Sequence, residues 1–166
     1  MIAAVVGPSG AGKDTLIAAA CAARPDLRLA RRVITRPSDA GGEDFDGVTP
    51  ARFAALRDGG HFALDWRAHG LCYGIPHDQL TGPSVIFNGS RLPDLRVILI
   101  TAPAEVLARR LADRGREGSA DIAARLRRAA FAMPPGIAHL TVCNDACLAQ
   151  GTARLLAALQ PDRGAR

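Results

Sequence analysis

At 166 residues, 48% of them hydrophobic and 4% aromatic, the chain is long enough to bury a core of its own and is read as one domain. Its net charge of +5 points to anionic partners. No basic run is interleaved with aromatics, which argues against a stacking platform for nucleic acid and for anionic small molecules.

In chain order, Ile2 to Val6 is a short run rich in Val and Ile, the pattern of a buried strand. Gly7-Pro8-Ser9-Gly10-Ala11-Gly12-Lys13 follows, then Asp14-Thr15 and an apolar helical stretch from Leu16 to Ala23. Strand, glycine-rich turn, lysine and helix is the arrangement of a phosphate-binding P-loop. The small residues let backbone N–H groups converge on an anion, and the helix N-terminus adds its dipole. The 21 basic residues are twenty arginines and one lysine, Lys13, placed where a compact ammonium suits the β- and γ-phosphates of a nucleotide. The next position, Ser or Thr in the standard motif, is Asp14.

Arg24-Pro25-Asp26 reads as a turn, and Leu27 to Ile34 as a single strand of basic flavour. Residues 38–47 form a polar, glycine-rich loop with four acids. Thr49-Pro50 signals an N-cap and first helical residue, with the helix running to about Arg57. His61 to Arg67 and Leu71 to Ile75 form an antiparallel hairpin, and Pro76 opens a short helix to about Leu80. Pro83 to Asn88 and Leu95 to Thr101 are buried strands, and Pro103 starts a helix through Ala112. Residues 113–119 are a charged loop, and an amphipathic helix runs from Ser119 to about Phe131. A last strand, Ala138 to Cys143, precedes the Asn144-Asp145 exit loop and a closing helix over Thr152 to Leu159. Strands alternating with helices imply an α/β fold with a parallel sheet flanked by helices. Four scattered cysteines without CxxC spacing suit a reducing cytoplasm. No stretch suits a signal peptide or a membrane span, so a soluble, cytoplasmic protein is expected.

The order of motifs resembles the guanylate-kinase-like branch of the P-loop kinases. The resemblance rests on GPSGAGKD (7–14), ITRPSDAGGEDFDG (34–47), GHFALDWRAHGLCYGIP (60–76) and RLADRGREGSADIAARL (110–126), which together reach across nearly the whole chain. It implies a three-layer kinase domain over 1–160, with a small acceptor-binding region at 35–80, a lid at 110–125 and a flexible tail at 161–166. Two departures stand out. Leu64 occupies the position of the family's guanine-pairing glutamate, and Gly74-Ile75-Pro76 replaces a base-reading Gly-(Thr/Ser)-Ser. A second acceptor-phosphate arginine is also replaced, near Asp39. A site that reads a base by hydrogen bonds cannot take apolar groups there and keep its selectivity. The ribose 1,5-bisphosphate phosphokinases, kinases of bacterial phosphonate breakdown that make 5-phosphoribosyl diphosphate (PRPP), resemble the chain in those departures. The shared features are Asp after the lysine, GGED, YGIP and the NGSR exit loop.

That resemblance implies ATP and Mg²⁺ as cofactors and ribose 1,5-bisphosphate as acceptor. Gly7, Pro8, Ser9, Gly10, Ala11, Gly12, Lys13, Asp14 and Thr15 would hold ATP, with Asn144 and Asp145 at the adenine. Thr15 or Asp14 would serve the metal, although a first-turn acid also suits the helix dipole by itself. Arg36 would be the acceptor-phosphate ligand, its planar fork matched to phosphate, with a solvated surface arginine as the alternative. Glu43, Asp44, Tyr73 and Asn88 are further acceptor candidates. A solvated acidic loop and a core tyrosine are the alternatives for Glu43, Asp44 and Tyr73. Lys13 with Arg110, Arg114 and Arg125 would be catalytic, the arginines closing over the transferred group. A guanylate or other nucleoside monophosphate kinase is the nearest rival, and a non-catalytic binding module of the same fold is a rival of another class. A homodimer stays open; neither nucleic acid nor membrane is an expected partner.

Overall fold

The apolar run Ile2–Val6 forms β1, the central strand of a parallel five-stranded sheet ordered β2-β7-β1-β8-β9. The computed structural model describes residues 1–8, 10–38, 44–89, 95–113 and 133–160. The remaining strands of this sheet are β2 (Leu27–Leu29), β7 (Ser84–Asn88), β8 (Arg96–Thr101) and β9 (His139–Cys143). β1 pairs in parallel with β7 on one side and β8 on the other, so both neighbours end beside the loop that follows β1.

Period-two alternation sorts β1 between two cores. Ala3 and Val5 face a cluster with Leu16, Ile17, Leu107, Leu155 and Leu159. These last residues come from α1 (Lys13–Ala23), α3 (Ala104–Asp113) and α4 (Leu148–Ala158), with Leu159 as the C-cap of α4. Ala4 faces the other way, into a cluster with Ala30, Ile75, Val85 and Phe87. That second face is covered by a four-stranded sheet, ordered β4-β3-β6-β5. Its strands are β3 (Arg32–Ile34), β4 (Phe45–Gly47), β5 (Phe62–Ala68) and β6 (Leu71–Pro76). Helix α2 (Pro50–Asp58) sits beside β5 and β6 and begins as expected, with Thr49 Oγ1 accepting from the Arg52 N–H at 3.2 Å.

Three expectations are revised. The strand read as Leu27 to Ile34 is two strands in two sheets. Ala30 still donates to Ile86 O, but Arg31 N–H donates to Gln79 Oε1, a side chain, and the ladder ends there. Within the loop over 38–47, Phe45–Gly47 is a strand paired in parallel with β3. The closing helix begins four residues earlier than Thr152, with Gly151 inside it. A Cβ on Gly151 would lie 2.8 Å from Leu16 Cδ2, so this glycine, unfavourable for the helix alone, lets α4 approach α1. The expected amphipathic helix, most of the lid and the tail lie outside the described residues.

Candidate active site

The site lies at the carboxyl ends of the parallel strands, where open α/β sheets place ligands. Gly10 and Gly12 take φ of 86° and 85°, a region that favours glycine, and the backbone turns there into α1. The first helical residue is Lys13, whose Nζ donates to the carbonyls of Gly7 and Pro8 at 3.0 Å each. Backbone N–H groups and the positive end of α1 therefore converge with the ammonium on one spot. A cleft of about 290 Å³ opens beside it, lined by Gly10, Gly12, Thr15, Leu16, Arg110, Asn144, Ala146 and Leu148.

Asn144, expected at the adenine, follows β9 and lines this cleft. It is 5% exposed, and its Nδ2 donates to Ala11 O at 2.7 Å. A Cβ on Gly12 would lie 2.6 Å from the same Nδ2. Asn144 thus braces the P-loop from the end of β9. Arg110 points to the same carbonyl from α3, with Nη1 3.5 Å from Ala11 O. Asp145 pairs with Arg154 Nη1 at 2.6 Å, and that hydrogen bond holds its carboxyl below the ordinary carboxylate range. Asp14 is exposed and accepts at Oδ1 from Asn88 Nδ2 at 2.7 Å, so a residue expected at the acceptor meets one expected at the metal.

On the second sheet, Arg36 follows β3 with its guanidinium carbon 4.2 Å from the Phe45 ring centre. Tyr73 stacks on Trp66, with ring centres 5.4 Å apart and planes 5° from parallel. Asp44 is exposed and pairs with Arg31, which also holds Asp46; the solvated acidic loop describes it well. Ser9, Glu43, Arg114 and Arg125 lie outside the described residues. Leu64 and Ile75, the two departures at the base-reading positions, are direct partners across the β5–β6 hairpin. Both join the apolar cluster with Val85 and Phe87 of the central sheet.

Arg32 was not singled out in the sequence. It is 6% exposed on β3, 5.1 Å from the Tyr73 ring centre and 6.0 Å from that of Trp66, and its Nη1 donates to Asn88 O. It ties the second sheet to the end of β7. The signal for it is parity: Ala30 and Ile34, two residues to either side, are both buried.

No protein-family model matches the chain. The chain is 45% identical over 176 residues to a ribose 1,5-bisphosphate phosphokinase of Ruegeria sp. (strain TM1040), covering 98% of this chain and 93% of that one. It is 47% identical over 170 residues to a bifunctional ribose 1,5-bisphosphokinase-thymidine phosphorylase of Cupriavidus necator. That match covers 94% of this chain and spans only 28% of the relative's length. Among solved structures, a guanylate kinase from Anaplasma phagocytophilum superposes with a TM-score of 0.59 at 18% identity, covering 98% of this chain and 87% of its own, a likeness of fold. P-loop, paired apolar departures and near-full-length identity agree: the chain belongs to the ribose 1,5-bisphosphate phosphokinase family.

Proposed function

We propose that the protein transfers the γ-phosphoryl group of ATP to the 1-phosphate of ribose 1,5-bisphosphate, giving ADP and PRPP, as a step of phosphonate catabolism. The observation that carries the acceptor is the Leu64–Ile75 pair, Ile75 buried and Leu64 half-buried against the cluster of Val85 and Phe87, where a nucleobase would need polar partners. The P-loop supplies the other half of the reaction.

Phosphoryl transfer asks a protein for positioning and charge neutralisation more than for covalent chemistry. The backbone from Gly7 to Thr15 holds the ATP phosphates, and Lys13 leaves its carbonyl partners to follow the transferred group. Arg36, over the Phe45 ring, binds the acceptor phosphate, with Tyr73 of β6 as a further acceptor contact. Arg110 reaches the same loop from α3; Arg114 and Arg125, outside the described residues, are the other lid candidates of the sequence. The attacking atom is a phosphate oxygen, largely ionised at neutral pH because the second phosphate pKa is about 6. No general base is required, so His69 and His77 have no catalytic task.

The residues fit a magnesium ion. Asp14 offers an exposed carboxylate and Thr15 a hydroxyl at the cleft, the oxygen donors that Mg²⁺ takes alongside water and substrate phosphates. When bound, such an ion neutralises charge on the phosphate oxygens. Asn144 acts here as a brace for the loop, and Asp145 keeps its partner Arg154 at the adenine end.

The deciding assay supplies ATP and magnesium with ribose 1,5-bisphosphate, GMP or gluconate and follows ADP release. Turnover with ribose 1,5-bisphosphate is expected; turnover with GMP and none with the bisphosphate would overturn the proposal.

A further inference from the structure

P-loop enzymes commonly hold magnesium with a hydroxyl just after the loop lysine and an acid on a nearby strand. In this chain the first position is Asp14, and the strand ending nearest to it, β7, closes on Asn88. Val5 of β1 lies opposite Asn88 in the parallel register, so Asn88 leaves the sheet level with the start of the P-loop. Its Nδ2 donates to Asp14 Oδ1 at 2.7 Å across 74 residues of chain. The usual pair of a neutral loop residue and an acidic strand end is transposed.

We propose that the carboxylate serving the divalent cation has moved from the strand end to Asp14, and that Asn88 is the positioning residue that aims it. The inference rests on the phosphoryl-transfer reading and deepens it. Each part of the geometry serves that role. An amide donates to the carboxylate without adding charge, whereas Asp at residue 88 would set two carboxylates at hydrogen-bond distance, where they repel. Asn88 is itself held from behind, because its carbonyl accepts from Arg32 Nη1 and Arg32 lies against Tyr73 and Trp66. With one carboxylate oxygen engaged, Asp14 keeps a fixed orientation at an exposed point beside Thr15 and the cleft. A carboxylate in that place opposes a bare triphosphate and favours one carrying a cation.

The test is a titration without acceptor. A non-hydrolysable ATP analogue is bound to the full chain with Mn²⁺ and, separately, with chelator, by calorimetry. In the wild-type protein Mn²⁺ should strengthen binding strongly. Asp14→Asn, which keeps the shape and a hydrogen bond to Asn88, should cut that enhancement at least about tenfold and tighten metal-free binding. Asn88→Ala should reduce the enhancement about tenfold while leaving Asp14 in place. The exchange Asp14→Ser with Asn88→Asp restores the common arrangement and should recover most of what Asp14→Ser alone loses. An unchanged enhancement in Asp14→Asn, or a double exchange no better than Asp14→Ser, would overturn the proposal. Because no acceptor is present, a wrong acceptor leaves this titration unaffected and is exposed by the turnover assay instead.

Discussion

The two sheets of the molecule would meet the anions of the proposed reaction by different means. At the end of the parallel sheet the ligands are backbone groups, arranged by glycines with positive φ and by one lysine. On the second sheet they are side chains: Arg36 over Phe45 is the candidate, while Arg32 packs against the stacked Tyr73 and Trp66 rings and holds the sheet to Asn88. The strands differ accordingly. Val5, Ile86 and Ile98 of the first sheet are fully buried, while every residue of β5 is half-buried or exposed. Backbone cradles recognise any polyphosphate and resist change, because almost every alteration strains the loop. Side chains on a sheet can be exchanged one at a time, and Leu64 and Ile75, paired across the hairpin, stand where the resemblance expects base-reading groups.

The largest effect should come from the cradle. Lys13→Ala is expected to lower kcat about 10³-fold for every acceptor, the scale of removing one charged transition-state donor. The melting temperature should stay within a few degrees, since the Lys13 Nζ bonds to Gly7 and Pro8 are made within the loop itself. Near-normal rates in this variant would remove the P-loop from the mechanism. Gly12→Ala comes next. It forces alanine into φ 85° and sets a Cβ 2.6 Å from Asn144 Nδ2, displacing the brace on Ala11 O. Strain of that kind is worth about 1–3 kcal/mol, read as a lower melting temperature together with weaker ATP binding. If both stayed at wild-type values, Asn144 would have no bracing role.

On the second sheet the effect should be smaller and confined to one substrate. Arg36→Lys keeps the charge and loses the planar fork, so the acceptor KM should rise about tenfold while the ATP KM holds. A parallel rise in both KM values would mean that the two sheets do not divide the substrates, and the comparison above would fail.

That division also explains what could be read from the sequence. The P-loop was legible because its geometry demands glycines and a lysine at fixed spacing, and β1, β7 and β8 because fully buried strands are continuous apolar runs. Leu64 and Ile75 were legible as departures, through the resemblance. What escaped depends on where the chain goes after a local pattern ends. Nothing in Leu27 to Ile34 marks the transfer between sheets, because the Arg31 N–H just past β2 donates to the side chain of Gln79, 48 residues away. Arg32 looked like one of twenty arginines until the rings of β5 and β6 were placed beside it. Asn144 sat in a turn associated with the base, yet its amide turns inward, where Gly12 and Gly151 leave room for it. Gly151 itself argues for a helix boundary by propensity and is overruled by close packing.

The smallest expected effect lies on the cradle side, at the surface. Arg154 Nη1 donates to Asp145 Oδ1 and to the Cys143 carbonyl, clasping the turn after β9 to α4. The hydrogen bond from Arg154 lowers the Asp145 pKa from its ordinary value near 3.8. A carboxylate depressed in the folded state adds stability above its unfolded pKa, and that stability is lost as pH falls through the folded value. Both side chains are more than two-fifths exposed, so solvent and salt screen the pair and the contribution is slight. Arg154→Gln should therefore return the Asp145 carboxyl, followed by NMR, to the ordinary range. The melting curves of variant and parent should differ a little at neutral pH and converge once the pH is well below 3.8. Added salt should shrink the neutral-pH difference. An Asp145 midpoint that does not move would mean that the clasp is made by the Cys143 carbonyl alone, and the turn would then be held, like the rest of the cradle, by backbone.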